Sequence, residues 1–65
     1  MNYHKRFVKH RKGGVYRIKE QKGSVCIAEP CIGSDIKISV SDIERLATVK
    51  ERKEWRDQKK LLNAL

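Results

Sequence analysis

The chain predicts a β+α fold, a small antiparallel meander of three to four strands followed by a C-terminal α-helix. Three observations carry this. Ile36-Lys37-Ile38-Ser39-Val40 alternates apolar and polar residues strictly, the period of a half-buried strand. Gly13-Gly14, Gly23 and Gly33 cut the first forty residues into short runs that can be extended. From Ser41 to Leu65 neither glycine nor proline interrupts the chain, which leaves room for one long helix.

Taken in order, Arg6-Phe7-Val8-Lys9-His10 reads as a first strand or, given its basic density, as a frayed arm. Gly13-Gly14 supplies the positive φ angles of a two-residue hairpin turn. In Val15 to Glu20, Tyr16 and Ile18 point one way and Arg17 and Lys19 the other. Gln21-Lys22-Gly23 turns the chain into Val25-Cys26-Ile27-Ala28, whose continuous apolar character suits a central strand buried on both faces. Pro30 lacks a donor and should end or bulge that strand. Gly33-Ser34-Asp35 turns into the alternating strand, whose buried face is Ile36, Ile38 and Val40.

Ser41-Asp42-Ile43-Glu44 has the form of a capping box opening the helix. On a helical wheel Ile43, Leu46 and Ala47 share a stripe with Leu61, Ala64 and Leu65, but Lys50, Glu54 and Asp57 occupy it in between. The first two turns should therefore dock on the sheet while the rest projects or bends. The expected layout is one domain over residues 1–65, comprising a basic arm or edge strand (1–12), the meander (13–40) and the helix (41–65).

Sixty-five residues are near the size at which one core is only just sufficient, which excludes a multi-domain enzyme. No apolar run approaches the ~18 residues of a membrane span, and no apolar segment follows the basic N-terminus as in a secretory signal. A soluble cytoplasmic protein without membrane contact is expected. Two cysteines cannot make a disulfide framework.

Charge is the main functional signal. Residues 1–23 hold eight Lys or Arg against the single acid Glu20, leaving +7 of a whole-chain +8. Tyr3, Phe7 and Tyr16 are interleaved with these cations. Phosphates attract such a cluster and release counterions, and aromatic faces can stack on bases. The candidate nucleic-acid-binding residues are Lys5, Arg6, Lys9, Arg11, Lys12, Tyr16, Arg17 and Lys19, with Tyr3 and Phe7 also available for stacking. The plainer reading of the same run is a solvated basic face.

Other constellations are weaker. Two Cys and two His match a zinc site in number. However, Cys26 and Cys31 lie at an odd offset, on opposite faces of a regular strand, and His4 and His10 sit in the basic segment. No metal, no other cofactor and no catalytic set is expected. Trp55 is either a binding hot spot or a satellite core residue folded on the sheet edge. Leu61, Leu62 and Leu65 either mediate a weak homodimer through the helix or cap this protein's own core. With Trp55 they form the candidate partner-binding set.

The run Lys9-His10-Arg11-Lys12-Gly13-Gly14-Val15-Tyr16-Arg17-Ile18 resembles the opening of a family of small bacterial and phage domains of unknown function. The resemblance spans residues 9–43 and implies an SH3-like, partly open barrel. It transfers no functional residues. This chain lacks that family's long loop between the second and third strands, and its Trp and Pro near Ile38 to Asp42, and it adds a charged helix. In layout it is also similar to small archaeal chromatin proteins that lay a twisted sheet on DNA.

The combined expectation is a non-enzymatic nucleic-acid-binding protein, DNA or RNA, with weak sequence preference. The alternative is a protein-interaction module, a phage-type inhibitor or adaptor, that meets an acidic partner through the sheet edge or the C-terminal helix.

Overall fold

The computed structural model describes residues 2–64. Five strands, β1 (Phe7–His10), β2 (Val15–Lys22), β3 (Val25–Pro30), β4 (Ile36–Ser39) and β5 (Ile43–Leu46), precede one helix, α1 (Val49–Asn63). They form a single antiparallel sheet in the order β4-β3-β2-β1-β5.

The β+α class is as expected, but there are five strands rather than three or four. The additional one comes from the segment assigned to the helix. Ser39 and Asp42 form a capping box around a 3₁₀ turn, Val40–Asp42, in place of the expected pair Ser41 and Glu44. The chain then extends, pairing Ile43 with His10, Arg45 with Lys9 and Leu46 with Val8. Extension satisfies this backbone against β1 and buries Ile43 in the core. A helix started at Ser41 would set the same residues on a stripe that turns polar at Lys50. The helix begins instead at Val49, where Thr48 Oγ1 accepts from the Glu51 N–H at 3.1 Å and the Thr48 N–H donates to Glu51 Oε1 at 2.8 Å.

Pairing with β5 also changes the status of the N-terminal segment. β1 is neither a frayed arm nor an edge strand, since β2 flanks it on one side and β5 on the other. Its link to β2 is a four-residue loop, Arg11 to Gly14, not a two-residue turn. Gly13 at φ +103° and Gly14 at φ +92° carry the chain through it, closed by Gly13 N–H to His10 O and His10 N–H to Gly14 O, both 2.9 Å. The two-residue turn is Gly23-Ser24, between the paired Lys22 and Val25. Gly23 at φ +60° occupies its first central position, as a type II′ turn requires.

Strand alternation sorts side chains onto two faces. The inner face carries Val8, Ile18, Cys26, Ala28, Ile38 and Ile43, with Tyr3, Tyr16, Val40 and Leu46 packed against them. Burial of the Cys26 thiol raises its pKa. β3 is buried on one face only, since Val25 is exposed and Ile27 half-buried. Of the expected buried face, Ile38 is buried and Val40, now in the 3₁₀ turn, packs partly buried against the core, whereas Ile36 is 41% exposed.

On the outer face, Phe7, Arg17 and Glu29 are cross-strand partners in one row, and the helix docks over it. The ring of Trp55 meets Phe7 edge-on, with centroids 5.0 Å apart. One turn later Lys59 forms an ion pair with Glu29 and lies 5.1 Å from the Trp55 ring centroid. The Cys31 thiol donates to the Trp55 carbonyl at 3.4 Å. The middle of α1 thus packs on the sheet rather than projecting. Trp55 is 8% exposed, so it is a packing residue and not an open partner-binding surface. The wheel centred on Ile43 missed this because Ile43 belongs to a strand and the docking stripe is Trp55 and Lys59.

Candidate functional site

Two segments remote in sequence meet beside the helix. Tyr3 to Arg6 form a tight turn, with the Arg6 N–H donating to the Tyr3 carbonyl at 2.9 Å and the Lys5 N–H anchored on the Ile18 carbonyl at 2.8 Å. Lys5 sits at φ +62°, a position in such turns that normally selects glycine or asparagine. Across from this turn, α1 presents Arg52 and Arg56, four residues apart on one side of the helix.

Between them lies a groove of about 520 Å³, walled by His4, Lys5, Arg6, Arg52 and Arg56 over a floor of Phe7, Leu46 and Ala47. No carboxylate lines it. The Arg56 guanidinium carbon lies 5.2 Å from the Phe7 ring centroid, a cation–π contact that orients the charge. Arg52 Nε is buried and, among the described residues, has no hydrogen-bond acceptor.

The opposite side of the helix has another character. There a cleft of about 310 Å³ is lined by Tyr16, Ile32, Trp55, Glu51 and Glu54 among others. The Glu51 carboxylate is held in a bidentate pair by Arg45 of β5, at 2.6 and 3.0 Å. Its pKa falls from an ordinary 4.5 to about 2, first through Arg45 and then through the Thr48 N–H. The helix therefore divides the outer surface into a cationic groove and an acidic, partly apolar cleft.

The structure splits the cluster that the sequence presented as one. Lys5 and Arg6 enter the groove. Lys9 stands half-buried opposite Arg45, and Lys12 is exposed near the β1–β2 loop tip. Arg11 has a structural task, its Nε and Nη2 donating to the Ser41 carbonyl at 3.2 and 3.1 Å. Arg17 pairs with Glu29 at 3.5 Å and Lys19 with Asp35 at 3.0 Å, and the Asp35 bond raises the Lys19 pKa. Phe7 is buried beneath the helix, while Tyr3 and Tyr16 pack against the core. Phe7 is thus covered, whereas Tyr3 and Tyr16 are only partly buried and Tyr16 also lines the acidic cleft.

Sequence reasoning missed Arg52 and Arg56. Their signal was present in the i,i+4 spacing and in the net +3 of residues 50–65, where six Lys or Arg outnumber three acids. Of the partner-binding candidates, Leu61 and Leu62 are exposed, and Leu65 lies outside the described residues. Among the described residues, no three His, Cys, Asp or Glu side chains gather where they could hold a metal ion, and no helix is long and apolar enough to cross a membrane. Comparison with family models, with curated proteins and with solved structures finds no match.

Proposed function

We propose that this chain is a non-enzymatic nucleic-acid-binding protein with weak sequence preference, and that the groove beside the helix is its principal contact. The observation that carries this is the convergence of Lys5, Arg6, Arg52 and Arg56 on one groove without a carboxylate. Folding brings like charges together there against their repulsion, and a polyanion relieves that repulsion. Lys9 and Lys12, cations of the same N-terminal run, supply a further phosphate contact outside the groove. Weak sequence preference follows because these cations address phosphates, which carry no base information. We also read the sheet as an SH3-like, partly open barrel. The strand order β4-β3-β2-β1-β5 and the 3₁₀ turn before β5 support that reading.

The test is a binding titration with DNA and RNA at several salt concentrations. With about five phosphates engaged, log K should fall with log[salt] at a slope near −4 to −5 on duplex. Absence of binding to any nucleic acid at 50 mM salt would remove this function. An acidic protein surface would meet the same cations, but its affinity would lack the phosphate-counterion slope.

A further inference from the structure

We infer that the groove clamps the phosphate backbone of double-stranded nucleic acid and discriminates against single strands. This rests on the nucleic-acid reading above and specifies its substrate. Non-specific single-strand binding depends on aromatic side chains on which successive bases stack. This chain has four such rings, and of these only Phe7 reaches the groove. Phe7 meets Trp55 in a T-shaped contact and carries the Arg56 guanidinium over its ring. Trp55 is buried, with Lys59 near its face. Tyr3 packs against the core. Tyr16 packs there too, edge-on to His10 at 5.8 Å.

The exposed polar groups of the groove are the cations Lys5, Arg6, Arg52 and Arg56 together with the His4 imidazole, and the helical pair is held in place. Arg52 and Arg56 are one turn apart on a helix secured at Trp55, Lys59 and Glu51. About 6 Å of helical rise separates them, so they can meet different phosphates of a regular backbone. Lys5 faces them from the other wall, on a turn that holds a non-glycine residue at positive φ. Among the described residues the Arg52 Nε–H has no acceptor, so its guanidinium is not committed through that donor to another part of the fold. A duplex brings phosphates at regular spacing with its bases turned inward, which matches a site that has charge and no platform.

Charge density acts in the same direction. The salt slope per phosphate is about −0.9 for duplex and −0.7 for single strands, so five contacts at 0.1 M salt favour duplex about tenfold. The experiment is fluorescence anisotropy with a duplex and an unstructured single strand of equal length, in DNA and RNA versions, from 50 to 300 mM salt. The expected result is duplex binding about tenfold tighter at 0.1 M. Arg52→Gln with Arg56→Gln should flatten the duplex slope by about 1.8 and weaken binding about 60-fold at 0.1 M, with circular dichroism unchanged. Lys53→Gln with Lys60→Gln removes equal charge outside the groove and should have a much smaller effect.

Single strands bound as tightly as duplex, or more tightly, would overturn the duplex inference and leave the nucleic-acid function standing. Equal losses in the two double variants would overturn the groove as the clamp. If no nucleic acid binds at 50 mM salt, both the function and this inference fall.

Discussion

Lys5 shows at the scale of one residue how the proposed function and stability oppose each other. Its φ of +62° costs about 1 kcal/mol for a side chain with a Cβ, and its ammonium adds to an already cationic groove. Lys5→Gly should therefore raise stability by up to about 1 kcal/mol in denaturant melts while weakening duplex binding. A variant both less stable and unchanged in affinity would contradict this account. Trp55 presents a different balance. Its ring packs on Phe7, yet its indole Nε1–H is buried with no acceptor among the described residues. Trp55→Phe keeps an aromatic edge there and removes the orphan donor, so it should cost less than about 1 kcal/mol. Trp55→Ala opens a cavity and should cost about 3 kcal/mol. Thermal melts of the pair will tell packing from a merely covering role.

At the scale of elements, the start of α1 is governed by Glu51, which caps Thr48 and receives Arg45. Its folded pKa of about 2 lies below its ordinary 4.5. Its contribution to stability is therefore present above pH 4.5 and is lost as pH falls towards 2. Acid titration followed by amide exchange should show the first helical turn fraying within that window. Glu51→Gln should remove that pH dependence and fray the turn already at neutral pH. Within β4, Ile38→Ala should cost about 2–4 kcal/mol, because Ile38 is enclosed in the core. Ile36→Ala should cost clearly less, because Ile36 is open at its end of the strand. Equal costs in urea melts would mean that the strand is enclosed along its whole length.

At the scale of the whole molecule, the core is small and one-sided, and the helix covers the outer face through few side chains. Leu61 is 66% exposed and Leu62 38%, beyond the docking contacts of Trp55 and Lys59. Truncation after Lys60 should leave the sheet and the docked part of α1 folded, with a stability change within about 1 kcal/mol. Loss of the cooperative transition on truncation would place those leucines in the fold itself. The groove, by contrast, requires the whole assembly. Its two walls are some fifty residues apart in the chain, and only docking of Trp55 on Phe7 sets Arg52 and Arg56 facing Lys5 and Arg6.

What the sequence determined by itself follows from properties local to a few residues. Strand alternation in β2 and around Ile38, the places of the turns at Gly13-Gly14 and Gly23 though not their lengths, the end of β3 at Pro30 and a helix closing the chain were legible in period and backbone chemistry. So was the concentration of positive charge before residue 24. The tertiary structure alone decided the rest. Whether Ile43–Leu46 is strand or helix depends on β1 lying alongside to accept its hydrogen bonds, more than thirty residues away. Which cations remain available depends on the carboxylates that folding brings to them, as Glu29 and Asp35 come to Arg17 and Lys19. The fate of the aromatic residues depends on what covers them, and α1 covers Phe7. A charge count is additive along the chain, but its arrangement on a surface is set by long-range packing.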